Sequence, residues 1–179
     1  MADINLKRQP GGPGPVAPAG PAAGGVEPTW DFIELLFFAY RDFVGDPDQE
    51  LESFGFGRAH HRVLHFVYRN PGLKVAALLE VLRITKQSLG RVLKQLIDEG
   101  YIVQQTGASD RRQRLLFATP KGEALVLRLV GLQSTRIRRA LQNLDPAGRD
   151  AVRRFLHGMI DPQDTDKVLQ AILKASAQP

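Results

Sequence analysis

Apolar and polar residues alternate along the chain in runs of different period, and the periods predict its elements. From Thr29 the pattern predicts a helix over "WDFIELLFFAYRDFV", with Thr29 as its cap and acidic Asp31 in the first turn. Trp30, Phe32, Ile33, Leu35, Leu36, Phe37, Phe38, Tyr40 and Phe43 surround this helix instead of forming one stripe. A helix apolar all round must be covered on most sides. In a chain of 179 residues a partner subunit is the natural cover.

The stretch "DPDQELESFGFG", residues 46–57, has turn composition and is expected to be a loop. A second helix follows over "RAHHRVLHFVYRN", ended by Pro71-Gly72. In "KVAALLEVLRI", Val75, Leu78, Leu79 and Leu82 fall at helical spacing. The next segment, "TKQSLGRVLKQLIDEG", has Thr85 as N-cap and Gly100 as C-terminal stop. Leu89, Val92, Leu93, Leu96 and Ile97 form its apolar stripe, which leaves Gln87, Ser88, Arg91, Lys94, Gln95 and Asp98 on the exposed side.

Two runs of strand composition come next, "YIVQQT" and "RLLFAT", separated by "GASDRRQ". Pro120 opens a long helix over "KGEALVLRLVGLQSTRIRRALQNL". Asp145-Pro146, a cap followed by a first-turn proline, starts another over "DPAGRDAVRRFLHGMI". A last short helix is expected over "TDKVLQAILKAS".

Three helices followed by a two-stranded hairpin read as a winged helix-turn-helix, so the expected fold is mainly α with a small β-wing. The second helix of such a pair enters the major groove and offers its first polar residues to base edges. Here these are Thr85, Lys86, Gln87, Ser88 and Arg91, with Lys94 further along. Glutamine pairs with adenine, arginine or lysine with guanine, and the hydroxyls with either. The wing tip "SDRRQR" carries Arg111, Arg112 and Arg114, suited to the negative potential of a narrow minor groove. Asp110 fits there as an acceptor that orients a neighbouring guanidinium.

The charge distribution agrees with that placement. The net charge is +5, but residues 57–122 alone carry twelve Lys and Arg against four Asp and Glu. A local basic excess points to a polyanionic partner. The chain has no cysteine, which removes disulfides, thiolate zinc, cysteine nucleophiles and thiol redox sensing. No apolar run approaches a membrane span and the N-terminus lacks a signal segment, so a cytoplasmic location is expected. Residues 1–28 hold half of the chain's 12 prolines among Gly and Ala, and are expected to be a disordered tail.

The run "ITKQSLGRVLKQLIDEGYIVQQTGASDRRQRLLFATPKGEAL" resembles the MarR family of bacterial transcription regulators. Asp110 and Arg112 match the family's Asp-x-Arg pair in the wing, and Thr119 and Gly122 its Thr-x-x-Gly segment. "FGRAHHRVLHFVYRNPGLKV" is similar to the PetP-type branch. The resemblance covers residues 29–179, and implies dimerisation helices at 29–45 and 123–179 around a winged helix-turn-helix at 57–122. It also implies a homodimer on a pseudo-palindromic double-stranded operator, usually a repressor relieved by a ligand. The family's ligand site, between the dimer helices and the DNA-binding lobe, suggests Phe37, Tyr40, Arg41, His61 and His65. Gln104, Gln105, Ala108 and Ala118 depart from common family residues, and Gly90 lies inside the recognition helix.

Other chemistry is thinly represented. His61 and His65 have a metal-ligand spacing, but no Cys or nearby carboxylate completes a set, so no metal or other cofactor is expected. No nucleophile elbow, phosphate loop or His-Glu motif suggests an enzyme. Arg136, Arg138 and Arg139 lie outside the winged helix and read as salt-bridge partners or a solvated face. The alternative function is a winged-helix module for protein contact with little DNA specificity. It would be marked by an apolar patch on the recognition surface.

Overall fold

The computed structural model describes residues 27–107 and 113–164. Most of the expected tail, the wing-tip residues Asp110, Arg111 and Arg112, and the last predicted helix lie outside the described residues. The chain divides into two units, 1–37 and 38–179. In the first, the described residues lead into α1 (Trp30–Glu52), where the Thr29 carbonyl accepts from the Ile33 amide. Trp30, Phe32, Leu35 and Phe37 are all more than half exposed there.

The second unit continues α1 and adds α2 (Arg58–Arg69), β1 (Leu73–Lys74), α3 (Val75–Leu82) and α4 (Lys86–Asp98). Then follow β2 (Ile102–Thr106), β3 (Arg114–Ala118), α5 (Pro120–Leu141) and α6 (Pro146–Gly158). The core is aliphatic. Val63, Leu64 and Val67 of α2 are buried with Leu78 and Leu82 of α3, Leu89 and Leu96 of α4, and Leu125, Val126 and Leu129 of α5. Burial of these side chains supplies the main driving force for folding.

Two expectations need correction. The helix does not end near residue 45, and 46–57 is not a loop throughout, because α1 runs on to Glu52. Pro47 inside it lacks an amide and would ordinarily cost about 3 kcal/mol. Tertiary contacts offset that cost: Pro47 and Leu51 are buried. Asp46 accepts from Arg136 Nη2 at 2.8 Å, and Glu50 pairs with Arg128, both arginines coming from α5. The wing is likewise more than a hairpin. β1 pairs antiparallel with β3, Leu73 opposite Leu116, giving a three-stranded sheet in the order β1-β3-β2. Two residues are too short a run to show a period.

One junction ties the recognition helix, the wing and α5 together. Gly100 ends α4 at φ +75°, a left-handed conformation that glycine adopts without strain. The Thr119 hydroxyl donates to the Gly100 carbonyl at 2.7 Å and accepts from the Gly122 amide at 3.1 Å, which caps α5. Lys121 Nζ donates to the Glu99 carbonyl at 2.9 Å and lies 4.1 Å from the centre of the Tyr101 ring. The Thr-Pro-Lys-Gly sequence therefore holds the C-terminal end of α4 as well as starting α5.

Candidate nucleic-acid interface

The turn before α4 and the capped start of the helix build the candidate surface. Thr85 Oγ1 accepts the Ser88 amide at 3.1 Å, and its hydroxyl donates to Ser88 Oγ at 3.0 Å. Both hydroxyls are exposed, but they are already engaged with each other. Lys86, Gln87 and Arg91 are exposed and make no side-chain hydrogen bond or ion pair among the described residues. On the opposite side Leu89, Val92, Leu93 and Leu96 are buried. Every exposed side chain from Thr85 to Glu99 is polar, apart from Gly90. Lys94 is also exposed, though it pairs with Asp98 one turn on.

Gln95 was expected on the open side and is instead half-buried. Its amide oxygen lies 2.9 Å from His60 Nε2, and its amide nitrogen donates to Glu99 at 2.9 Å. His60 Nδ1 accepts the Gly57 amide at 3.1 Å, so the ring hydrogen sits on Nε2 and is donated to Gln95. Arg62 Nη2 donates to the Leu82 carbonyl at 3.0 Å. α2 thus holds both helices of the helix-turn-helix by polar contacts as well as by its core face. The hydrogen bonds of His60 agree with a structural role for a histidine on this helix, whereas sequence reasoning missed Arg62, since a polar residue beside an amphipathic stripe looks like ordinary surface.

At the wing, Arg114 Nη1 donates to Thr106 Oγ1 at 2.9 Å across the β2–β3 pair. The Gly107 amide donates to the Gln113 carbonyl at 3.0 Å. Arg114 is therefore tied down at the base of the wing. Asp110, Arg111 and Arg112 fall outside the described residues.

The five residues suggested for a ligand do not share one kind of surroundings. Phe37 lies in the first unit and is 70% exposed. Arg41 is exposed and its Nε donates to Asp42 at 2.7 Å, a contact that raises the Arg41 pKa and lowers that of Asp42. Tyr40 lies under the Arg58 guanidinium at 5.9 Å, and Arg58 donates to Asp48 Oδ2 at 2.6 Å. His61 is buried and its pKa is lowered, by desolvation first and then by His65, against an opposing pull from Asp48. The His65 pKa is also lowered, by desolvation and by the charge of Arg69. The two rings stand 6.4 Å apart, and among the described residues no group of three or more His, Asp or Glu is placed to hold a metal ion.

A separate cleft of about 370 Å³ lies between α1 and α5, lined by Asp46, Glu50, Arg128, Thr135, Arg136 and Arg139, with Gly131 and Leu132. None of the five suggested residues lines it. Arg136, expected to form a salt bridge, forms one with Asp46 at this cleft.

A model of the MarR family matches residues 54–113, a span from the end of α1 through the helix-turn-helix to the wing. The HTH-type transcriptional regulator PetP of Rhodobacter capsulatus is 46% identical over 130 residues, which cover 73% of this chain and 78% of PetP. The chain belongs to the MarR family. It is a winged-helix transcriptional regulator of that type. Among solved MarR-like folds, S. aureus MepR in complex with DNA superposes with a TM-score of 0.60 at 18% identity, covering 72% of this chain and 93% of MepR. Bordetella bronchiseptica BpsR, whose DNA binding is regulated by 6-hydroxynicotinic acid, gives 0.56 at 24% identity, covering 73% and 99%. No helix among the described residues is long and apolar enough to cross a membrane.

Proposed function

We propose that this MarR-type regulator binds double-stranded DNA sequence-specifically as a homodimer, and that it is a cytoplasmic repressor relieved by a small ligand. The observation that carries the reading is the α4 surface, where Lys86, Gln87 and Arg91 stand exposed, with no partner among the described residues, on a helix anchored from behind by four buried apolar residues. A protein-contact helix would present apolar side chains there, and this one presents none. The likeness to MepR on DNA supports the same reading.

Two recognition helices in successive major grooves read half-sites about 10 bp apart, while Arg112 and Arg111 of the wing meet the flanking minor groove. Asp110 orients the Arg112 guanidinium, and Lys94 adds charge towards the backbone. Relief by a ligand draws support from BpsR. Tyr40, Arg41, His61 and His65 are the residues proposed to meet it. Asp48, whose charge acts on His61, has an Oδ1 that is buried without a hydrogen-bond partner among the described residues.

The test is fluorescence anisotropy on operator and random duplexes across a salt series, the operator being recovered by genomic pull-down. Gln87→Ala should cost on the order of 1–3 kcal/mol on the operator and little on random DNA. Arg112→Ala should weaken both and reduce the salt slope by about one per subunit. If neither change moves either affinity, the DNA reading fails and the protein-contact module replaces it.

A further inference from the structure

Arg83 follows α3 directly and has φ +49°, the one described non-glycine residue in the left-handed region. Glycine is the residue that takes this position without strain, because it has no Cβ to crowd the next carbonyl. An arginine here bears that strain, and its side chain shows what it reaches. Arg83 Nη1 donates to Asp161 Oδ2 at 3.2 Å, and Nη2 pairs with Asp164. Both carboxylates come from the segment after α6, 78 and 81 residues further along the chain.

The place of this contact matters. Arg83 lies in the turn of the helix-turn-helix, two residues before the Thr85 cap of α4. When the start of a recognition helix enters the major groove, the turn before it faces the phosphates that border the groove. A guanidinium donates to carboxylate and to phosphate in the same forked geometry, through the same N–H groups. Asp161 and Asp164 therefore occupy donors that a phosphate would use.

We propose that Arg83 is a DNA-backbone contact residue and that Asp161 and Asp164 mask it in the free protein, so that DNA phosphate and the two carboxylates compete for one guanidinium. The proposal rests on the DNA-binding reading above. The mask is weak on its Asp161 side, where both groups are more than half exposed and such pairs are readily screened and displaced, while Asp164 is half-buried. It sets a threshold for binding and does not block it. It acts on all sequences equally, since phosphates carry no base identity.

The experiment is a double-mutant cycle on the full chain, read by anisotropy on operator and random duplexes at low and high salt. Asp161→Asn with Asp164→Asn should tighten binding to both duplexes about two- to five-fold at low salt, and the gain should shrink as salt rises. Arg83→Gln alone should weaken both. In the Arg83→Gln background the two Asp→Asn changes should bring no gain.

A gain that persists without Arg83 would mean that the carboxylates act only through general charge, and would overturn the proposal. So would wild-type-like binding by the Asp→Asn variant. Wild-type protein that binds neither duplex would overturn the DNA-binding reading itself, and this inference with it, whereas wild-type binding that the cycle leaves unmoved counts against the mask alone.

Discussion

A Cβ added at Gly122 would lie 2.1 Å from the carbonyl oxygen of Tyr101, far inside contact distance. The glycine is there for space, since its φ is not positive. α5 starts so close to the bend between α4 and β2 that any side chain would meet the Tyr101 backbone, with the Leu64 side chain next at 3.3 Å. Gly122→Ala should therefore cost about 3 kcal/mol or more, a fall in Tm of roughly 6–12 °C by calorimetry. A Tm within about 2 °C of wild type would show that the junction yields freely.

Gly90 is the opposite case. Nothing lies within 4 Å of the Cβ it lacks, and it is exposed in the interior of α4. No packed helix needs it. Gly90→Ala should add up to about 1 kcal/mol of stability, the difference in helix propensity. If the glycine serves close approach to DNA, the same variant loses operator affinity while its Tm rises. Thermal melts and anisotropy on one preparation separate the two effects.

The parts of the fold legible in the sequence are those where one face of one helix decides. The Leu89-Val92-Leu93-Leu96 stripe, the Thr85 and Asp145 caps and the Gly100 stop were all visible, because each acts through neighbours within a turn or two. The continuation of α1 to Glu52 was not, because Pro47 and the loop-like composition argue locally for a break. Burial of Pro47 and Leu51 and the pairs from Asp46 and Glu50 to α5 decide it, across 78 to 90 residues of sequence. The candidate site divides the same way. The open row of α4 follows from helical period, while Arg83 and its carboxylates become visible only when distant segments meet.

His61 and His65 make stability depend on pH in a definite direction. Both are held neutral in the folded chain by pKa values below the ordinary value, which is near 6.5. Between the lowered folded value and 6.5 the unfolded chain binds more protons, so stability rises with pH across that window. It is complete above about 6.5 and is lost as the pH falls below it. His61→Gln should flatten the fall in Tm between about pH 6.5 and 5 relative to wild type, whatever it does to the Tm itself. An unchanged slope would mean that neither burial nor His65 perturbs His61.

The exposed apolar residues of α1 call for a covering surface. Trp30 is 64% exposed, Leu35 65% and Phe37 70%, and Phe38 and Tyr40 further along are more than half exposed. Scattered exposed apolar residues are ordinary, but five large ones within residues 30–40 are an unusual concentration of uncovered apolar side chains. Phe155, Leu156 and Met159 of α6 are about half exposed as well. A homodimer that buries these surfaces would couple assembly to folding, so that the apparent Tm rises with protein concentration. Light scattering should show a dimer at micromolar concentration. Leu35→Glu with Phe38→Glu should shift it to monomer or to a poorly folded chain, because a carboxylate buried without a partner is costly. Operator affinity should then fall far more than random-DNA affinity, since two linked half-site contacts become one. A stable, folded wild-type monomer at micromolar concentration would refute the dimer.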